Sequence, residues 1–467
     1  MNPDHLLDAL RAPELLLAPT WVQLEDGPRA DWAVIVRGGG FAEVGPRAVL
    51  EREHPELQAT ELPDTLLMPG LVDTHHHLTQ SFGKALAFGE PSEIFRRIWV
   101  PLERHLDAEA LYLSAKLAAW ESMRGGFTTV CDAGTRAEGG LEAIVAAVEE
   151  AGVRCVLART CNDEGDESKW HAMRREAERH LAASSAASLL HPSLAISVPE
   201  AASDRALRDV AALCADAGAV FQIHINEHLV SVERSLVARG MRPLEHLDSV
   251  GALGPQTLLA HATLVTPQEI RRLGTTGAAV SYNPVASAWK GNAVAPAQLM
   301  AALGVRLGLG TDGTRSDGFR LMDAAETAQR LTVGMANGDS SCGAGWTWLT
   351  MASAGGADAA GLGAVTGHIA TGLAADFLLV DLNVPELTPS WDLSWELVRL
   401  AGREQIRAVF VGGRMRLWNG WPIDWDGRSL LDRAREAARQ AIAAAPIQRV
   451  HATAEQHRAA QRARGDG

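Results

Sequence analysis

The chain has 467 residues, 47% of them hydrophobic, which is material for one large core with a small partner domain. Its net charge of −14, from 43 basic and 57 acidic residues, argues against a nucleic-acid partner, which needs a basic footprint. There is no run of about eighteen apolar residues, no basic n-region in the opening MNPDHLLDALRAPELLLAP, and no C-x-x-C pair. Membrane spans, secretion and a disulfide scaffold are therefore not expected. A cytoplasmic chain is, with Cys131, Cys155, Cys161, Cys214 and Cys342 as buried thiols.

From about residue 14 to 65, short apolar runs such as LLLAPTWVQL and DWAVIVRGGG are broken by Gly and Pro, the texture of strands. The middle of the chain alternates. Eight short apolar runs, from LLMPGLVDTHHH to RLGLGTDG, are separated by segments with helical spacing such as GGLEAIVAAVEEAGV and SDRALRDVAALCADAG. Each of these segments ends in Gly, the expected helix stop. Strand texture returns in AADFLLVDL and IRAVFVGGRMRLWNG, and the tail carries SLLDRAREAARQAIAAAPIQRV, rich in Ala and Arg.

The pattern predicts an α/β fold: a TIM-like (β/α)8 barrel over residues 66–371. Residues 1–65 and 372–427 are expected to pair as a composite β-sandwich domain. Residues 428–467 should form a helix and a tail, with AAQRARGDG frayed at the end. A doubly wound sheet would show the same alternation. However, no G-x-G-x-x-G follows a strand, so a dinucleotide site has no support.

The chemistry concentrates at the ends of the apolar runs. In LMPGLVDTHHHLTQ, residues two apart on an extended strand share a face. His75 and His77 therefore point together and His76 points away. His224 closes VFQIH, His261 closes LLAH, and Asp312 follows LGLGT. All sit at C-terminal ends of strand runs, where barrel sites are built. Imidazole and carboxylate together suit zinc and its first-row neighbours. Glu227 lies three residues after His224, so the chain must bend for it to face the same space. It is the candidate general acid/base.

On MPGLVDTHHHL, HINE, LAHA, LGTDG and TGHIATGLAADFLLVDL, spread from about residue 65 to 382, the chain resembles the amidohydrolase superfamily. The H-x-x-E pattern is similar to its mononuclear, deaminase- and chlorohydrolase-like branch. The resemblance implies His75, His77, His224 and Asp312 as ligands of one divalent metal, zinc or iron, with cobalt or manganese able to substitute. It implies Glu227, His261 and Asp312 as catalytic residues. A bridging carboxylated lysine is not expected, since no Lys lies between Lys169 and Lys290, and Glu200 at the end of the fourth run is the alternative bridge to a second ion.

The reaction expected is hydrolysis of a carbon–nitrogen bond in a small molecule. Gln80 and Asn283 fit recognition of a ring amidine such as a triazine, purine or pyrimidine. Ala288 and Asp317 stand where such relatives commonly carry asparagines. Trp99 and Trp289, two of 13 tryptophans, fit the alternative of a urea, carbamate or thiocarbamate of phenylurea or molinate type. A metal-free scaffold is a further alternative, and a homo-oligomer is expected from the resemblance.

Overall fold

The computed structural model describes residues 3–90, 93–137, 140–183 and 188–465. Its centre is a set of eight parallel strands: β1 (Leu71–His76), β2 (Phe127–Asp132), β3 (Arg154–Thr160), β4 (Leu190–Ile196), β5 (Phe221–Ile225), β6 (Thr257–His261), β7 (Ala279–Tyr282) and β8 (Arg306–Leu309). Each pairs with the next in sequence order. They are nearly all buried along their length, as parallel strands covered by helices must be.

The seam between β8 and β1 is closed by other bonds. The Asp312 N–H donates to the His75 carbonyl at 2.8 Å. The Thr311 N–H and hydroxyl donate to the Asp73 carboxylate at 2.9 and 2.5 Å. The Thr74 hydroxyl donates to the Leu309 carbonyl at 2.9 Å. This is the eight-unit barrel that the alternation predicts.

Capping residues explain where the outer helices start and stop. Asp107 accepts a bond from the Ala110 N–H at the head of the helix Ala108–Arg124. Gly152, at φ 79°, ends the helix Glu142–Ala151 in a conformation that costs glycine little. At the N-terminal end of the barrel, Val72, Cys131, Val156, Leu258 and Ala279 pack with Ala357, Ala360 and Leu362. That end is a filled core, so open space for chemistry lies at the other end.

The remaining strands form one nine-stranded sheet from both flanks of the barrel. Its two halves join where Ala59–Pro69 pairs antiparallel with Phe377–Asp381. They close over a shared apolar core in which Leu17, Val34 and Phe41 meet Phe377, Leu379 and Phe410. The strand Ala59–Pro69 carries this sheet four residues past the boundary expected at 65, because its apolar end LLMP pairs across to the C-terminal half. The helix Gly427–Ala444 lies on the barrel helix Ala108–Arg124 through Leu430 and Ala441. A further helix, Ala454–Gly465, stands where fraying was expected. Among the described residues no helix is long and apolar enough to cross a membrane.

Candidate active site

The C-terminal ends of the strands bring five side chains to one point. His75 and His77 come from the end of β1, His224 from β5, His261 from β6, and Asp312 from the loop after β8. Asp312 Oδ1 lies 3.4 Å from His75 Nε2 and 3.4 Å from His77 Nε2. His224 Nε2 lies 3.3 Å from His77 Nε2. Ligand atoms of His75, His224, His261 and Asp312 all fall within 4.8 Å of one another. His76 points the other way, to Ser316 Oγ at 3.1 Å and Ser122 Oγ at 3.3 Å. The turn after the triplet is fixed by the Asp132 carboxylate, which accepts from the N–H of Leu78 and of Gly134 at 2.7 and 2.8 Å.

Backbone strain aims several of these groups. Asn226, His261, Ala262 and Asp312 have φ of 47°, 74°, 48° and 56°, in the left-handed region that side chains other than glycine avoid. Asn226 is the bend that Glu227 requires. Its amide donates to Glu269 Oε1 at 3.0 Å, which holds the kink in place. Glu227 then returns to the cluster, with Oε2 3.7 Å from His261 Nε2 and Oε1 2.8 Å from Lys290 Nζ.

The donor set fits one divalent cation. Tetrahedral ligands at bond lengths of about 2.1 Å stand roughly 3.4 Å apart, which is the spacing found here. His75 Nε2 is buried with no hydrogen-bond partner. His224 Nδ1 lies 2.8 Å from the Ser197 carbonyl, which needs the proton on Nδ1 and leaves Nε2 as a lone-pair donor. His261 is different. Its Nδ1 accepts from the Asn283 amide at 3.2 Å, so its proton sits on Nε2, which faces Glu227 and is itself unpartnered. That makes His261 a hydrogen-bond donor directed at Glu227 and the ligand cluster.

Electrostatics agree with a neutral-imidazole, ionised-carboxylate site. Burial pushes His224 well below its usual pKa and His261 down to about 3. Burial alone would push the Glu227 carboxyl up, but the Lys290 ammonium at 2.8 Å from Oε1 outweighs it and holds it well below the usual range. Asp312 is likewise held low, with burial outweighed by the Lys290 ammonium against its Oδ2.

Comparison with known proteins decides the family. The amidohydrolase family profile matches residues 66–416. This chain belongs to the amidohydrolase family. It is 32% identical over 363 residues to the 5′-deoxyadenosine deaminase of Methanothermobacter thermautotrophicus, covering 76% of this chain and 82% of that one. It is 29% identical over 419 residues to the 5-methylthioadenosine/S-adenosylhomocysteine deaminase of Nitratidesulfovibrio vulgaris, covering 87% and 92%. The fold matches a zinc-bound adenosine deaminase from Xanthomonas campestris with a TM-score of 0.82 at 24% identity, over 92% of this chain and 98% of that one. It also matches the zinc complex of an atrazine chlorohydrolase from Arthrobacter aurescens, with a TM-score of 0.80 at 18% identity, over 91% and 100%. The chain is a hydrolase of carbon–nitrogen bonds in a metal-dependent family.

In this amidohydrolase a cleft of about 210 Å³ opens beside the cluster, lined among others by Gln80, Trp99, Arg136, Glu227 and Lys290. Gln80 and Trp99 are among its walls. Gln80 is tied back to Glu103 Oε1 at 3.4 Å. Asn283 is not among the residues lining the cleft; it is buried behind His261, accepts from Ser281 Oγ at 2.8 Å and donates to His261 Nδ1 at 3.2 Å. Trp289 lines a smaller neighbouring lobe, 4.7 Å edge-on to Phe88, and is 40% exposed. Glu200 lines the cleft but is exposed and outside the converging ligand group.

Sequence reasoning missed Lys290 and Arg136. Lys290 Nζ lies 2.5 Å from Asp312 Oδ2 and 2.8 Å from Glu227 Oε1. Arg136 contacts Glu103 Oε2 and Ser197 Oγ, both at 3.3 Å. Scarcity of lysine was the one signal that singled Lys290 out.

Proposed function

We propose that this amidohydrolase deaminates the 6-amino group of a purine nucleoside, using one zinc ion held by His75, His77, His224 and Asp312. The observation that carries the reading is the pairing of Glu227 and His261 on one side of the ligand cluster, a base and a donor facing the same space. Two purine-nucleoside deaminases as relatives support the substrate class. A divalent ion at this position supplies a Lewis acid that brings the pKa of a water toward neutrality.

The chain's own groups do the rest. Glu227 accepts one proton from the attacking water and passes it to the ring nitrogen beside the reacting carbon. His261 donates from Nε2 to the oxygen as it gains charge. Asp312 accepts the second proton, which leaves with the amino group as ammonia. The water oxygen stays on carbon as the ring carbonyl, so one water enters and one ammonia departs. Gln80 and Trp99 line the space for the ring, Gln80 held by Glu103.

The reading includes a cytoplasmic homo-oligomer without nucleic-acid or membrane partners, and the net charge of −14 supports the first exclusion. Its test is a product screen. Zinc-loaded protein is incubated with 5′-deoxyadenosine, 5-methylthioadenosine, triazines, pyrimidines, phenylureas and thiocarbamates. Ammonia is expected from the two nucleosides. An aniline or cyclic amine from the ureas or thiocarbamates, with no ammonia from nucleosides, would replace this reading with the alternative.

A further inference from the structure

The cleft holds a cation that the reaction above does not use. Lys290 is the last residue of the helix Pro284–Lys290, and Gly291 at φ 67° turns the chain sharply after it. The turn brings Asn292 back, so that its amide donates to Glu227 Oε1 at 3.4 Å, the same oxygen that Lys290 reaches at 2.8 Å. His228 Nε2 also lies 3.3 Å from that oxygen. Glu227 Oε1 is thus fully engaged by this chain, while Oε2 is turned toward His261.

Asp312 is divided in the same way. Its Oδ2 takes the Lys290 ammonium at 2.5 Å and its Oδ1 faces the Nε2 atoms of His75 and His77. One ammonium therefore selects which oxygen of each carboxylate faces the chemistry. The terminal torsion of a carboxylate is broad and nearly two-fold, so the side chain alone does not set it. Two charge-assisted hydrogen bonds to a single part-buried cation do.

We propose that Lys290 is a positioning residue that locks the rotation of Glu227 and Asp312, turning Glu227 Oε2 toward the attacking water and the ring nitrogen and Asp312 Oδ1 toward the ligand cluster. The proposal rests on the amidohydrolase reading of the same site. Partners of metal-bound carboxylates and catalytic groups typically change affinity or activity by about 10- to 100-fold when removed.

The test uses full-length K290M and K290R, with K290Q replacing K290M should that variant not fold. Zinc affinity is measured by competition with a chromogenic chelator. Separately, kcat and KM are measured with 5′-deoxyadenosine at saturating zinc. K290M is expected to bind zinc about tenfold more weakly and, at saturating zinc, to lose kcat by about 100-fold with KM changed only a few fold. K290R should recover part of both losses. Wild-type zinc affinity in K290M, or wild-type kcat at saturating zinc, overturns the proposal. A wild-type enzyme that is inactive on nucleosides removes the substrate reading and leaves the zinc measurement to decide the role of Lys290.

Discussion

A histidine's role in this site is decided by the direction in which it points and by the tautomer its neighbours impose. His76 is as buried as its neighbours, and burial pushes its pKa down to about 3, yet its ring faces two serines. His76→Ala is therefore expected to keep one zinc per chain by metal analysis, and His75→Ala or His77→Ala to lose it. Zinc lost from all three alike would remove the division of the triplet. Glu227 carries the proton transfer in the proposed reaction. Glu227→Gln should lower kcat by about 10²- to 10⁴-fold while zinc content stays at the wild-type level. The pH profile follows from sign. A base must be ionised to accept a proton, and this carboxyl titrates well below the usual value of about 4.3. Its contribution to kcat/KM is then lost only as pH falls below that ordinary range. An acid limb near neutrality in zinc-saturated enzyme is expected to belong to the zinc-activated water and to persist in Glu227→Gln; a limb there that Glu227→Gln abolishes would contradict the environment of this carboxyl.

At the scale of elements, strand periodicity carried the alternation, the eight-strand barrel and the split of His75 and His77 from His76. The same periodicity could not supply the turns. Glu227 reaches the cluster because Asn226 adopts φ 47°, and Asn283 retreats behind His261 because the residues after β7 enter a helix at once. Lys290 was illegible for the same reason: its direction depends on where that helix ends and on Gly291. Asn226→Ala should destabilise the fold by about 1–3 kcal/mol and lower kcat, since it removes the bond to Glu269 and strains the kink. Asn226→Gly should relieve the strain but not restore the bond. Equal stability for the Ala and Gly variants in urea unfolding would show that φ at 226 carries little cost. The wall of the cleft depends on a longer reach. The Glu90 carboxylate, wholly buried, accepts from Arg97, Arg449 and the N–H groups of Val450 and His451. Ile447 packs with Ile94, Ile98 and Trp99. Removing residues 446–467 should loosen Ile94 and Trp99, raising KM several-fold with zinc content unchanged. An unaltered KM would show that this wall stands without the tail.

At the scale of the molecule, the barrel and the sheet are joined by a buried ion pair. Arg154, at the start of β3, meets Asp376, just before the strand Phe377–Asp381, through two bonds of 2.8 and 3.2 Å. The side chains are 5% and 0% exposed. Asp376 Oδ1 also accepts from the Gly412 N–H at 2.7 Å, and the Asp376 carbonyl accepts from the Gly70 N–H at 3.0 Å, so one residue ties both halves of the sheet to the barrel. Arg154 further donates to His191 Nε2 at 3.3 Å; burial, aided by this guanidinium, holds that imidazole at a pKa of about 4 and hence neutral. A paired buried charge contributes little net stability, since desolvation offsets attraction, whereas an unpaired one is costly. Asp376→Asn should therefore cost about 3–5 kcal/mol by urea unfolding, because the guanidinium stays buried without its partner. The double replacement Arg154→Met with Asp376→Leu removes both charges and should return to within about 1–2 kcal/mol of wild type, the lost Gly412 bond accounting for the remainder. If the double variant is no more stable than Asp376→Asn, the junction depends on the hydrogen bonds that Asp376 makes to the sheet and not on the cost of a stranded arginine.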